Sequence, residues 1–312
     1  KSPYTVYCVE CYESDKWDGR SFGQDYMPEV PFFDQFKELL DKVPKKAVYI
    51  SSTSGLGPNI NSEYTNVAGG NKDCYLLFNG GKNENVMYAR GMYNSRDSSD
   101  IYFGTDLERS YETINVNHSS GIVFGQNVSG SLNSWFVMSC SGLQNCFGCV
   151  NLRNKSYHFF NEPLSKDEYE KKLVEAKGSY SRFLEFRKKF EEFALKFPRR
   201  ENNNLKTVGS VGEYLFESKN LINCFEVTKG EDSKYLFSNK FTKDCYDLTG
   251  FGYWSELLLE CVACGDSQRV IGSYAVDGKS HNVEYSFALT SCENCFGCDG
   301  LKHAKHSILN KQ

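Results

Sequence analysis

Cysteine is the residue type with the widest chemical scope in this chain, and thirteen are present in 312 residues. Several stand three apart. Thiolates are the soft ligands that tetrahedral zinc selects, and a C-x-x-C step supplies two from one tight knuckle. Cys8 and Cys11 form such a step and read as half of a zinc ribbon, two ligands short. Cys146 and Cys149, with Cys295 and Cys298, form two more, with Cys292, His303 and His306 close in sequence. Cys261 and Cys264 form another. Core packing competes with coordination at these later steps and takes precedence. His303 and His306 align with Asn154 and Tyr157 of the earlier copy, so that copy lacks matching ligands. Cys74, Cys224 and Cys245 sit singly in comparable slots, as small buried hydrophobes do. The expected cofactor is zinc at Cys8 and Cys11, or none.

Other chemistry is thinly represented. There is no nucleotide-binding glycine loop, no G-x-S-x-G elbow and no H-E-x-x-H helix. Asp97, Asp100 and Asp106 could line a polysaccharide-cleaving face, but Asp between short strands reads first as a turn residue. The sequence therefore names no catalytic residue. The formal net charge of −4 lacks the basic balance of a general nucleic-acid coat. Residues 166–200 are locally basic, with eleven Lys and Arg against seven Asp and Glu. If nucleic acid is a partner, Lys171, Lys172, Arg187, Lys188, Lys189, Arg199 and Arg200 are the candidates to meet phosphate. A protein partner or self-association is the leading expectation. No apolar run is long enough to span a bilayer, so no membrane partner is expected.

The elements that must position these residues are written twice. Asn145-Cys-Phe-Gly-Cys149 recurs as Asn294-Cys-Phe-Gly-Cys298, and Leu152 and Asn161 recur as Leu301 and Asn310, at an offset of 149. Glu63-Tyr64 and Cys74-Tyr75 reappear as Glu213-Tyr214 and Cys224-Phe225, at an offset of 150. Fixed self-similarity marks a repeat architecture. Tyr214 and Tyr235, Cys224 and Cys245, and Tyr253 and Tyr274 each lie 21 residues apart, which suggests coils of about that length. The expected fold is mainly β: a right-handed β-solenoid (β-helix) in two duplicated halves with a helical hairpin insert. The alternative is a set of antiparallel β-sandwich repeats. Five segments follow: 1–30, a partial zinc-ribbon or irregular segment; 31–59, an amphipathic helix and linker; 60–163, the first half; 164–200, the hairpin; 201–312, the second half.

Both helical regions are legible. Pro31 and Pro44 bracket a stripe of Phe32, Phe36, Leu39 and Val43. Ser165-Lys-Asp-Glu168 is a capping box. After Gly178, Phe183, Phe186, Phe190, Phe193 and Phe197 step 3, 4, 3, 4 along one face. An uncovered stripe of this kind would aggregate, so the hairpin is expected to dock by it and turn its charges outward.

Val6 to Asp18, Pro31 to Leu40, Asn145 to Lys155 and Leu164 to Lys171 together resemble a group of cysteine-rich, zinc-ribbon-linked repeat proteins. These occur in candidate-phyla bacteria and giant viruses and often carry an automatic CaiB/BaiF coenzyme A-transferase label, which no motif here supports. The resemblance implies a zinc ribbon ahead of Lys1 and a further segment after Gln312, so the chain is expected to be a fragment. It also implies that Ser99, Ser110 and Ser134 stand where relatives often hold Cys. The odd number of cysteines forbids complete internal pairing, and a reducing, cytoplasmic setting is expected. The resulting functional expectation is a non-enzymatic scaffold or binding module; the alternative is a β-helix enzyme acting on a polymer such as a glycan.

Overall fold

The computed structural model describes residues 2–47, 56–240, 249–252, 262–264 and 268–312, with side chains left aside at 239–240, 249–252 and 262–264. The protein is mainly β. It divides into two compact units, 49–199 and 1–48 with 200–312. Among the described residues no helix is long and apolar enough to cross a membrane.

A period of three governs the backbone of the first unit. Every third residue from Asp73 to Tyr157 has a positive φ, between 46° and 68°. The residue after each of these is buried from Cys74 through Cys149, and the third points outward. Asn, Asp and Gly accept the left-handed region most readily and fill many of these positions. Leu76, Tyr88, Phe103 and Phe124 also adopt it, at about 1–2 kcal/mol each. Strand partners lie four such triplets apart. Tyr75 pairs with Met87, Met87 with Ser99, Ser99 with Tyr111, Tyr111 with Val123, Val123 with Trp135 and Trp135 with Phe147, always in parallel. The result is a ten-stranded sheet whose strands lie in sequence order, with the pair His158–Phe159 and Glu162–Pro163 antiparallel at its end. Parallel pairing is not the arrangement of a β-sandwich.

The register corrects the expected coil length. Paired residues are 12 apart, not 21. Because 21 is a multiple of three, Tyr214 and Tyr235 share a phase, both at positive φ, without pairing. Cys245 and Tyr253 lie outside the described residues.

The inward positions stack into columns that mix aliphatic, Ser, Asn and Cys side chains. A buried hydroxyl calls for a partner, and the register supplies one to most inward serines, though not to the Thr113 hydroxyl. Ser131 Oγ donates to the Ser129 carbonyl at 3.0 Å and accepts the N–H of Leu143, twelve residues on, at 3.0 Å. Asn71, Asn83 and Ser95 likewise each accept the N–H of the residue twelve positions on, three in succession. Cysteine substitutes for serine in this role: Cys140 Sγ donates to the Met138 carbonyl at 3.2 Å and accepts the N–H of Leu152 at 3.4 Å.

Two helices complete this unit: α3 (Lys166–Ala176) and α4 (Tyr180–Ala194), after a short α1 (Val9–Glu13) and α2 (Phe32–Lys42) in the other unit. Ser165 and Glu168 form the capping box at the start of α3. The Phe stripe docks as expected. Phe186 lies 5.3 Å from Phe147, Phe190 5.9 Å from Phe136, and Phe193 5.1 Å from Phe160.

The other unit repeats the plan. Parallel strands pair at 11 to 13 residues, as Val211 with Ile222, Glu213 with Phe225, Phe225 with Phe237, Gln268 with His281, His281 with Glu293 and Glu293 with Lys305. Its NCFGC end also meets a Phe-bearing helix, since Phe32 of α2 lies 4.4 Å from Phe296. Asn161 and Asn310 close the two copies alike. Each clamps the backbone eleven residues before it, at Val150 and Asp299.

Candidate ligand-binding face

The cysteines that suggested metal divide into two environments. Cys8 and Cys11 are exposed. Cys8 Sγ caps α1 by accepting the backbone N–H of Cys11 at 3.3 Å. That bond holds the Cys8 thiol below its ordinary value, while the hydrogen bond to Cys8 raises Cys11. Cys146, Cys149, Cys292, Cys295 and Cys298 are buried inward residues of successive triplets. Their C-x-x-C spacing is the period of the fold. Each donates to main-chain carbonyls, as Cys149 does to Phe147 at 3.5 Å and Cys298 to Phe296 at 3.5 Å. A neighbouring thiol and then burial push Cys149, Cys292 and Cys298 far above the ordinary thiol range, and burial pushes Cys140 up to about 11. His303 and His306 occupy exposed positive-φ positions and point away from these thiols. Among the described residues no group of three or more Cys, His, Asp or Glu is arranged to hold a metal. Cys261 lies outside the described residues, as does the side chain of Cys264. Of the serines in expected cysteine slots, Ser110 and Ser134 are inward, but Ser99 faces out.

The basic candidates do not form one free surface. Arg187 pairs with Glu112 and Glu191, both at 3.3 Å, and lies 4.4 Å over Phe124. Lys189 pairs with Glu185 at 2.7 Å, and Lys172 sits 5.3 Å over Phe159. Lys171, Lys188, Arg199 and Arg200 are exposed, and no ion pair joins them to other described residues. The sequence reads the three candidate aspartates as turn residues, but they lie within one strand, Arg96–Glu108, at its positive-φ positions. Asp97 accepts from Asn85 at 2.8 Å and Asp106 meets His118 at 2.7 Å. Asp100 faces something different.

One side of the first unit carries three outward-accessible columns. The first runs Tyr75, Met87, Ser99, Tyr111, Val123, Trp135, Phe147. The middle, positive-φ column runs Tyr64, Leu76, Tyr88, Asp100, Glu112, Phe124, Phe136. The third runs Phe78, Arg90, Tyr102, Ile114, Gln126, Met138. α3 and α4 cover the end that holds Phe124, Trp135, Phe136 and Phe147. The other end stays open: Tyr64 is 67% exposed, Tyr88 52%, Phe78 44% and Tyr111 42%. Tyr75 links Tyr64 and Tyr88 edge-on at 5.5 and 5.8 Å. Arg90 lies 5.8 Å over Tyr102. Beside the covered end this face holds a concavity of about 650 Å³, bounded by Tyr88, Asp100, Tyr102, Glu112, Phe124 and Arg187. The sequence reading missed it, because its members stand 12 apart while the pattern sought was 21. Aromatic and acidic residues recurring at that interval were the available signal.

No family model and no curated protein matches the chain. Among solved structures it is similar to a protein of Desulfovibrio desulfuricans described as an acetyltransferase, at 11% identity over 83% of this chain and 67% of that one. The TM-score of 0.17 gives that likeness no weight.

Proposed function

We propose that the protein is a non-enzymatic binding module built on a duplicated β-solenoid, and that the open aromatic face of its first half receives a protein segment. The 12-residue parallel register and the inward columns support the solenoid reading. One observation carries the binding reading. The face is a continuous set of aromatic-rich columns; one end is already occupied by the Phe stripe of α4, and the open end continues the same columns. Contiguous exposed aromatics of this kind mark interaction sites. The glycan-enzyme reading has one observation in its favour, the neighbouring carboxylates Asp100 and Glu112. Glu112 is paired with Arg187, however, so a cation from α4 already sits on that side of the concavity.

Zinc, where bound, belongs at Cys8 and Cys11. Two exposed thiols three residues apart, with Cys8 Sγ accepting the backbone N–H of Cys11, suit half of a tetrahedral site. The remaining two ligands would come from beyond the described residues or from a partner.

The test is a paired panel of amphipathic helical peptides and soluble oligosaccharides, screened against the wild type and a Tyr75→Ser/Tyr88→Ser variant. Peptide binding lost in the variant, with its unfolding midpoint unchanged, is the expected result. Oligosaccharide cleavage abolished by Glu112→Gln would replace the binding reading with the enzymatic one.

A further inference from the structure

The position of Arg187 shows what the face recognises. Its guanidinium stacks 4.4 Å over Phe124 and pairs with Glu112 at 3.3 Å. Phe124 and Glu112 are consecutive members of the middle column, one strand spacing of about 4.8 Å apart. The next two members along that column are Asp100 and Tyr88. The order is therefore Phe124, Glu112, Asp100, Tyr88: an aromatic–acid pair, then the same pair reversed. The first pair is filled by a cation from α4. In the second, Tyr88 is 52% exposed, and Asp100 accepts only from the Ser99 hydroxyl, at 3.1 Å, making no ion pair among the described residues. Both pairs border the same concavity. Arg90 stands on the neighbouring column over Tyr102.

We infer that Tyr88 and Asp100 form a subsite for an arginine or lysine side chain of the docked segment, read by stacking and charge as Phe124 and Glu112 read Arg187. The occupant is an amphipathic helix whose apolar stripe lies on Tyr64, Tyr75 and Phe78 and whose cation reaches Asp100. A second arginine placed this way gives the face charge complementarity as well as apolar area, and so discriminates against purely apolar segments. The inference rests on the docking reading above and adds to it the chemistry of the partner.

The probe is a synthetic peptide with the sequence of residues 179–198, which carries the Phe stripe and Arg187, titrated into the full chain by calorimetry. Asp100→Asn is the chosen variant because Asn tolerates the positive φ at this position, so folding is retained. The expected result is binding that weakens about tenfold on Asp100→Asn, by a similar factor when the peptide carries Arg187→Gln, and little further when both are combined. Raising the salt to about 0.5 M should remove most of the same increment. Peptide binding that ignores both changes yet is lost in Tyr75→Ser/Tyr88→Ser would overturn the cation subsite and leave the docking face standing. No peptide binding, with an oligosaccharide bound instead and lost on Tyr88→Ser, would overturn both.

Discussion

Replacing Ser131 by alanine should cost far more than the loss of one oxygen suggests. Ser131 is fully buried and its hydroxyl makes two bonds, to the Ser129 carbonyl and from the Leu143 N–H, each 3.0 Å. The Ser129 carbonyl keeps a second donor, the N–H of Gly142 at 2.9 Å. The Leu143 N–H keeps none among the described residues, and an unsatisfied buried donor costs about 1–3 kcal/mol. The expected loss is therefore about 2 kcal/mol, a fall of roughly 1 M in urea midpoint at an m-value of about 2 kcal/mol per M. Ser131→Cys should lose about half as much or less, because Cys140 makes the equivalent pair of bonds elsewhere in the interior. Equilibrium urea unfolding, followed by circular dichroism, reads both variants. An alanine variant as stable as the wild type, or a cysteine variant worse than alanine, would refute the idea that inward hydroxyls and thiols are backbone ligands.

Other expectations are as follows. Cys146→Ser and Cys295→Ser should leave metal content unchanged, and any zinc held by the chain should be lost on Cys8→Ser; elemental analysis of the purified variants decides this. Cys8 should react first with a thiol reagent at neutral pH, because the Cys11 N–H lowers its thiol, while the buried thiols react only on unfolding; mass spectrometry of labelled native and denatured protein checks the order. Burial pushes the Asp299 carboxyl up to about 7 against the pull of Lys45. The unfolded chain releases that proton near 3.9, so the group's contribution to stability is complete below about pH 4 and is lost as pH rises toward 7. The difference in unfolding midpoint between wild type and Asp299→Asn should change across that window and be flat outside it. Gly297 holds φ +63°, and a Cβ there would meet the Phe32 ring at 2.6 Å, so Gly297→Ala should destabilise the second unit by about 1–3 kcal/mol, measured by thermal unfolding.

The sequence made the helices and the duplication legible because each has its own local signal. Capping residues and a 3–4 stripe mark α3 and α4, and Asn145 to Cys149 matches Asn294 to Cys298 directly. The pairing interval was misread because residue identity repeats at multiples of three. A likeness between Tyr214 and Tyr235 reports phase, not pairing, and hydrogen-bonded register alone separates the two. The same period explains why Cys146 and Cys149 mimic a zinc knuckle: two consecutive inward positions are three apart in any triplet of this chain. The groove was illegible for a different reason. Tyr88, Asp100, Glu112 and Phe124 each look like ordinary turn or surface residues, and they become a site only when the 12-residue register lines them up.

The central question is whether a partner segment lands on the open face. Fluorine spectra of protein labelled with 3-fluorotyrosine, recorded while the 179–198 peptide is added, test that directly. The resonances of Tyr64, Tyr75, Tyr88 and Tyr111 should move together and saturate at one affinity, while Tyr169, a buried residue of α3, and Tyr26, on the other unit, stay still. Shifts spread evenly over all of these tyrosines, or confined to Tyr26, would contradict it.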